Sequence, residues 1–266
     1  MSAATKQKAL AKLYAFVKKI GFPDKWKNYE GLVIKHDDFL GNVRRCNQWF
    51  YEENISKLGK PIDKTEWGMT PPTVNAYYSP QKNEIVFPAG ILRFPFFDFN
   101  ADDAINYGGI GAVIGHEMTH GFDDQGRQFD DEGNLHDWWT KADADEFKKR
   151  ADEVVQQYNG YVILDTLHVN GKLTLGENLA DLGGLSIAYE AFKNTPQGKS
   201  NKKIDGFTPD QRFFLNWSQV WRNNILPEAA AQRILTDNHS PGIYRSNGPL
   251  TNMDAFYKAF DVKPGD

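Results

Sequence analysis

The sequence predicts an α+β domain in which helices predominate. Its 266 residues are 40% hydrophobic and 14% aromatic, which provides enough apolar surface for a substantial packed core. Helical periodicity runs through most of the chain, whereas only two short runs have the composition of strands. The sequence contains no internal repeat and no low-complexity linker, so we expect residues 1–266 to form a single domain.

The first third of the chain is predicted to contain two helices and one non-helical passage. Residues 6–20 carry apolar side chains at helical spacing with lysines on the opposite face, and a Gly-Phe-Pro sequence ends this helix. Residues 37–58 predict a second amphipathic helix. Residues 69–72 include two prolines, so they cannot lie inside a helix.

Two short strands are predicted next, over residues 74–78 and 84–87. The residues between them, 79–83, have the composition of a hairpin turn. The rest of the chain is predicted to be mainly helical, over residues 107–120, 141–158, 175–192, 209–222, 228–235 and 252–260.

Charge and cysteine content exclude several functional classes. The chain has 31 Lys and Arg against 35 Asp and Glu, and this mild acidity argues against a nucleic-acid-binding protein. No run approaches the ~18 apolar residues of a membrane span. A single cysteine, Cys46, excludes an internal disulfide and a cysteine-rich zinc site.

The sharpest chemical signal is the hexapeptide Gly-His-Glu-Met-Thr-His at residues 115–120. His116 and His120 are four residues apart, so their imidazoles lie on one face of a helix and can bind one metal ion. Glu117 can reach a metal-bound water and accept its proton. About 0.006 chance matches are expected in a chain of this composition. The alternative is a helical histidine pair that binds no metal.

A catalytic zinc site needs three protein ligands and one open position. Glu177 and Asp181 provide the best candidates for the third ligand, because they lie four residues apart on an otherwise apolar helix. A buried acidic pair needs a cationic partner. Glu177 on the metal and Asp181 hydrogen-bonded to a ligand imidazole would meet that need. The alternative is a solvated acidic edge of an amphipathic helix.

These residues resemble the metal site of the neprilysin-type zinc endopeptidases, peptidase family M13, in which a histidine pair is followed by a Glu-Asn-x-x-Asp helix. The resemblance extends over nearly the whole chain, through residues 74–78, 87–92, 107–111, 121–124 and 239–242. It implies a thermolysin-like catalytic domain with a small β-element at the substrate edge. It also implies one zinc ion, held by His116, His120 and Glu177, and cleavage of small peptides on the N-terminal side of apolar residues.

The resemblance also implies roles for residues whose spacing alone is uninformative. Glu117 is expected to move the proton, and Asp181 to support a ligand imidazole. His239 matches the family histidine that stabilises the oxyanion, and Arg245 matches the arginine that donates to a substrate carbonyl. Taken alone, His239 would be interpreted as a surface or capping histidine and Arg245 as a surface arginine.

Peptide binding is expected along the edge strand and in an apolar pocket. Asn75 and Ala76 lie on the edge-strand candidate, where an extended peptide can add through main-chain hydrogen bonds; the alternative is that Asn75 is a turn residue. The family's pocket positions fall on Ile91, Phe96, Val113 and Trp221, all of which could equally be ordinary core. Ala112 stands where neprilysin has a larger methionine, which predicts a deeper pocket that favours Phe over Leu.

The sequence departs from the family in two ways, in its cysteine content and in its length. Animal members carry several disulfides and a Cys-x-x-Trp tail, whereas this chain has only Cys46, so it resembles a bacterial member. The 115 residues before His116 are too few for the helical domain that roofs the active site in the family. We therefore expect residues 1–266 to be a C-terminal catalytic fragment, whose partners are peptide substrates and its N-terminal domain.

Three functions compete at this point. The first is a zinc endopeptidase, and the second is an isolated fragment that binds zinc and peptides but has little activity without its N-terminal domain. A structural zinc module is disfavoured, because such sites fill all four positions with protein ligands. The chain itself leaves the compartment open. We expect the bacterial parent to be exported as a periplasmic, lipoprotein or secreted protein, and a cytoplasmic location is the alternative.

Overall fold

The computed structural model describes residues 1–263 and 265, and this part of the chain contains ten α-helices and five β-strands. The helices are α1 (Ala3–Tyr14), α2 (Phe39–Ile55), α3 (Asp103–Asn106), α4 (Ala112–His120), α5 (Lys141–Asn159), α6 (Leu175–Lys193), α7 (Pro209–Val220), α8 (Pro227–Thr236), α9 (Gly242–Leu250) and α10 (Asp254–Phe260). The strands are β1 (Val17–Gly21), β2 (Tyr77–Ser79), β3 (Glu84–Pro88), β4 (Val162–Ile163) and β5 (Leu167–His168). The predicted class, α+β and mostly helical, is confirmed.

A three-stranded sheet lies beside the helices in the order β1-β3-β2. Strand β3 is buried along its whole length and pairs in parallel with β1 and antiparallel with β2. The predicted hairpin is therefore present, but β2 begins at Tyr77, three residues later than expected. Strand β2 forms one edge of the sheet and leaves its outer backbone groups free for another chain.

The helix predicted over residues 6–20 is wrong in its second half. It ends at Tyr14, and Val17–Gly21 forms β1. Pairing with β3 outweighs the helical periodicity, because the Val17 N–H donates to the Asn83 carbonyl at 3.0 Å and the Lys19 ammonium contacts the buried Glu84 carboxylate at 2.7 Å. Tertiary context overrides local propensity in this way when partners are distant in sequence.

Helix α9 and the small hairpin formed by β4 and β5 were not predicted. Helix α9 starts just after Pro241 and contains Gly248 and Pro249, two residues that sequence analysis treats as helix breakers. Pro249 cannot donate a backbone hydrogen bond, and the helix ends at the next residue, Leu250. The helix predicted over residues 107–120 begins four residues earlier than expected, because residues 103–120 are continuously helical through a π-turn at Tyr107–Gly111. The other predicted helices are observed with ends shifted by at most three residues.

Helices α4 and α6 pack backbone against backbone. A Cβ atom added at Gly115 would lie 2.6 Å from the Gly184 carbonyl oxygen, and one added at Gly184 would lie 2.4 Å from the His116 nitrogen. Glycine is required at both positions because any side chain would force the helices apart. The neighbouring buried cluster includes Ala112, Leu185, Phe192, Phe213, Phe214 and Trp217.

Residues 22–62, here called the apolar segment, lie outside this core. None of the residues of α2 is buried. Exposed large apolar side chains along the segment are Phe22, Trp26, Tyr29, Val33, Ile34, Phe39, Leu40, Val43, Phe50, Tyr51, Ile55, Leu58 and Ile62. So many exposed large apolar side chains within 41 residues are unusual for a monomeric protein and indicate an interaction surface.

Among the helices of residues 1–263, none combines the length and the apolar character that crossing a bilayer requires.

Candidate metal centre

Helices α4 and α6 bring the predicted ligands together. Helix α4 carries His116 and His120 one turn apart, so both rings face α6, and α6 presents Glu177 from its first turn. The two Nε2 atoms are 3.0 Å apart. Glu177 Oε2 lies 3.4 Å from His116 Nε2, and Glu177 Oε1 lies 3.7 Å from His120 Nε2.

This donor set fits a zinc ion. A tetrahedral zinc with ligands at ~2.0–2.1 Å holds its donor atoms roughly 3.3 Å apart, and the three separations above bracket that value. Glu177 Oε2 is buried and has no hydrogen-bond partner in the described part of the chain. A carboxylate oxygen of Glu117 also lies within 4.8 Å of a ring nitrogen of each histidine. Because Glu177 approaches both Nε2 atoms directly, it completes the donor set, and Glu117 lies beside it.

Two aspartates orient the histidine rings. His116 Nδ1 donates to Asp181 Oδ1 at 2.8 Å, and His120 Nδ1 donates to Asp123 Oδ2 at 2.7 Å. These bonds fix the tautomers and direct both Nε2 atoms toward the metal position. The role of Asp123 was missed, because this residue lies in the turn after α4 ends at His120, where helical spacing gives no signal.

Asp181 joins the metal centre to Arg245. The Nε and Nη2 atoms of Arg245 each donate to an Asp181 oxygen at 2.8 Å, and its guanidinium stacks 3.8 Å from the ring centre of Trp221. Both side chains of this ion pair are buried. Burial opposes ionisation of Asp181, but Arg245 and His116 outweigh it and lower the pKa of the carboxyl group. Asp181 is therefore an anion that can polarise the imidazole of His116.

Three titratable groups at the metal position differ in their preferred charge. Burial raises the pKa of Glu117. Burial also opposes ionisation of Glu177, yet the hydrogen bonds of the two histidines prevail and lower its pKa. For His120, burial is outweighed by Asp123 and Glu177, which raise its pKa to about 10. The centre thus combines one carboxylate held as an anion with a second that holds its proton more readily.

His239 borders the centre from the segment between α8 and α9. Its Nε2 lies 3.3 Å from Glu177 Oε2, and its Nδ1 lies 2.8 Å from Asp237 Oδ1. The next residue, Ser240, is buried and donates to Asn178 Oδ1 at 2.7 Å, which ties this segment to α6. Asn238 donates to Glu177 Oε1 at 3.3 Å. Asn178 belongs to the Glu-Asn-x-x-Asp pattern, but no role was predicted for it, and Asn238 was not singled out because a lone asparagine carries no ligand signal.

A cleft of about 830 Å³ opens over the metal centre and gathers all the predicted substrate residues: Asn75, Ala76, Ile91, Phe96, Val113, Trp221 and Arg245. Asn75 and Ala76 come directly before β2 and are not part of the strand. Asn75 Oδ1 accepts from the Ala76 N–H at 3.0 Å.

The prediction that Ala112 lines this pocket is wrong. Ala112 is fully buried in the cluster between the helices and does not border the cleft, whereas the next residue, Val113, does. Adjacent helical residues point about 100° apart, so only one of the two can face the cleft. The small side chain of Ala112 therefore does not deepen the pocket, and the preference for Phe over Leu predicted from it has no support.

The fold and this donor set define the class of zinc-dependent peptidases in which a helical His-Glu-x-x-His pair is completed by a glutamate from a second helix. Comparison with known sequences gives the particular group: the profile of Peptidase family M13 matches residues 75–266. The chain belongs to this family.

Individual relatives agree over the whole chain. An endothelin-converting enzyme homolog of Locusta migratoria is 46% identical over 98% of this chain, and neprilysin-3 of Drosophila melanogaster is 41% identical over 98%. Among solved structures, the zinc metalloprotease Zmp1 of Mycobacterium tuberculosis, in complex with an inhibitor, is 50% identical and superposes with a TM-score of 0.97 over the full chain. PepO of Lactobacillus rhamnosis gives 36% identity and a TM-score of 0.92.

The chain is shorter than these proteins. It spans 37% and 34% of the length of the two curated relatives and 41% of each of the two solved chains.

Proposed function

We propose that this chain is the catalytic part of a zinc endopeptidase that cleaves small peptides on the N-terminal side of apolar residues. One zinc ion is held by His116, His120 and Glu177. The observation that carries the proposal is the spacing of their donor atoms, 3.0, 3.4 and 3.7 Å, with a carboxylate oxygen of Glu117 within 4.8 Å of both histidines. Membership in family M13 supports it.

Glu117 is the proposed general base. A zinc ion bound at the centre would polarise the scissile carbonyl and lower the pKa of water towards ~7. Glu117 accepts a proton from the attacking water and later passes it to the leaving amine. Its burial supports this role, because burial raises the pKa of the carboxyl group and so makes the carboxylate a stronger base.

His239 and Arg245 are proposed to bind the substrate carbonyl groups. The Nε2 atom of His239 faces the ligand Glu177, at the position where an N–H can donate to the developing oxyanion. Arg245 uses Nε and Nη2 to hold Asp181, and within the described residues its Nη1 atom makes no hydrogen bond. Arg245 lines the cleft, and we propose that its Nη1 atom donates to a peptide carbonyl.

The substrate chain is proposed to lie along residues 75–79. An extended peptide can pair with this edge of the sheet, and the side-chain amide of Asn75 can bind its backbone. The side chain after the cleaved bond enters the part of the cleft lined by Ile91, Phe96, Val113 and Trp221. Burial of one methylene there stabilises the complex by ~0.8 kcal/mol, about a factor of four in affinity.

Replacing the proposed base tests the mechanism. Glu117→Gln keeps the shape of the side chain but removes its basicity, so zinc content should be unchanged while cleavage of a quenched peptide falls at least ~10²-fold. Glu153→Gln, on the exposed face of α5, is the matched control and should cleave like the unchanged protein. Wild-type activity in Glu117→Gln would reject Glu117 as the base, and a protein that binds no zinc would reject the site.

We propose further that residues 1–266 are one catalytic domain and that the apolar segment packs against the remaining part of a longer protein. The support is the exposure of its large side chains together with the length of the relatives. Amide hydrogen exchange tests this: α2 should exchange quickly in residues 1–266 and slowly in the longer protein. Equal exchange in both would contradict the proposal.

The alternative function is a fragment that binds zinc and peptides but does not cleave them. If the shorter chain binds zinc and an inhibitor but only the longer protein cleaves, that alternative holds.

A further inference from the structure

Lys12 is a buried lysine whose charge the proposed mechanism does not use. It lies in α1, upstream of the residues matched by the family profile, and only 1% of its surface is exposed. Its Nζ donates to the carbonyl oxygens of Gly126 and Phe129, both at 2.7 Å. The rings of Tyr78, Phe122 and Trp138 lie 5.6–6.0 Å away and enclose the ammonium group.

The two carbonyl groups belong to the turn that follows the metal-binding helix α4. In this turn the N–H groups of Gln125 and Gly126 donate to Asp123 Oδ1 at 2.9 and 2.6 Å. The other oxygen of Asp123 accepts from His120 Nδ1 at 2.7 Å. Direct contacts therefore lead from Lys12 through Gly126 and Asp123 to a proposed zinc ligand.

The same turn is also held by Trp138 Nε1, which donates to the Phe129 carbonyl oxygen at 2.9 Å, and by the His136 N–H, which donates to the Gln128 carbonyl oxygen at 2.9 Å. A Cβ atom added at Gly126 would lie 1.7 Å from the His120 carbonyl oxygen, so the backbone folds back closely on the end of α4. Within the described residues, the only ion pair of Asp123 is with His120, whereas Asp181 on the other side of the centre has Arg245. Lys12 is the buried cation on the Asp123 side.

Burying an ammonium group costs desolvation free energy, so a buried lysine indicates that its charge makes contacts that an apolar side chain could not make. Burial lowers the pKa of Lys12 to about 8, and the fields of Asp123, Asp130 and Asp131 offset part of this effect. A methionine or leucine would fill the same volume without the cost of desolvating a charge. The charge is retained where it can hold two carbonyl groups and balance a nearby acid.

We propose that Lys12 is a positioning residue for the metal centre: it fixes the turn at residues 126–129, and through Asp123 it sets the orientation of His120. This inference rests on the proposed zinc site. It gives α1 a part in metal binding although no residue of α1 borders the cleft.

Zinc affinity, measured by chelator competition well below the melting temperature, tests the proposal. Lys12→Met should raise the zinc Kd by ~10- to 100-fold, as for other residues that orient a ligand. Lys12→Gln removes the charge but keeps one donor, so it serves where the Met variant does not fold. Lys8→Met, one turn earlier on the exposed face of α1, should leave the Kd unchanged.

A second control separates positioning from simple loss of stability. Thr5 is buried in α1 and donates to Asp143 at 2.6 Å, so Thr5→Val weakens the docking of α1 without touching Lys12. It should lower the melting temperature and leave the zinc Kd unchanged. If Thr5→Val raises the Kd as much as Lys12→Met does, Lys12 acts only through stability and the proposal fails.

A double-mutant cycle tests the route through Asp123. The Lys12→Met and Asp123→Asn changes combined should raise the zinc Kd no more than Asp123→Asn alone. Fully multiplicative effects would show that the two residues act independently and would overturn the proposal. If the unchanged protein binds no zinc, the proposed function fails; if it binds zinc and Lys12→Met binds it equally well, only this inference fails.

Discussion

A methyl group between the two metal-binding helices should dismantle the zinc site. In Gly184→Ala, the new Cβ would lie 2.4 Å from the His116 nitrogen and 2.7 Å from the Ala112 carbonyl oxygen, whereas ordinary contacts begin at 3.4 Å. The clash is with backbone, which has no rotamer to change. Helices α4 and α6 must therefore separate by about 1 Å.

That displacement exceeds what the metal tolerates. Zinc–ligand distances hold within about 0.2 Å, so a shift of about 1 Å removes Glu177 from coordination. We expect the zinc Kd to rise at least ~100-fold, or about 2.7 kcal/mol, with a loss of fold stability of ~1–3 kcal/mol from overpacking.

The measurement is chelator competition for zinc together with the unfolding midpoint of the metal-free protein. Gly111→Ala is the matched control, because the nearest atom to its new Cβ lies at 3.4 Å. Replacing a helical glycine there should stabilise the protein by up to ~1 kcal/mol and leave zinc binding unchanged. A zinc Kd within twofold of the original in Gly184→Ala would refute the idea that this close approach sets the ligand geometry.

Three further predictions concern the ligands, Lys12 and the substrate pocket. Glu177→Ala should strip the zinc, whereas Asp181→Ala should weaken its binding by ~10- to 100-fold; metal analysis showing the reverse order would exchange their roles. Burial lowers the pKa of Lys12 from 10.5 to about 8, so protonated Lys12 destabilises the fold and the free energy of unfolding should rise between pH 8 and 10.5, by up to ~3 kcal/mol relative to Lys12→Met. Urea unfolding at both ends of that range measures the difference, and a constant gap between the proteins would contradict it. Val113→Phe should reduce kcat/KM for a Leu peptide at least ~10-fold relative to an Ala peptide, because the added ring fills the pocket; an unchanged ratio would mean that Val113 does not contact that side chain.

The candidate metal ligands could be predicted from the sequence, because the residues on each helix are only four positions apart. His116 and His120 report a common helical face by their spacing alone, and so do Glu177 and Asp181. The contacts that orient these side chains could not be predicted from the sequence. The partner of His120, Asp123, and the buried cation behind it, Lys12, are 111 residues apart in the chain, and no periodicity connects them.

The errors in the fold have the same origin. Residues 17–20 continue the apolar spacing of α1, but their partner strand begins at Glu84, and that pairing decides the conformation. Ala112 and Val113 are both small and apolar, so the sequence cannot tell which one faces the cleft. The rotation of α4 decides it, and that rotation is set by the glycine contact with α6.

The apolar segment has a mechanical consequence that follows from its attachment. Residues 22–76 leave the sheet at Gly21, the last residue of β1, and return at Tyr77, the first residue of β2. On β3, Gly21 pairs with Pro88 and Tyr77 pairs with Val86, so both ends are attached to the same short part of one strand. Between these ends the chain is also held at Glu66, whose carbonyl oxygen accepts from the Lys19 and Lys82 ammonium groups at 2.9 and 3.0 Å. Tyr77 and Tyr78 of β2 line the cleft. We therefore expect a partner that binds the apolar segment and moves it to change the width of the groove that receives the peptide.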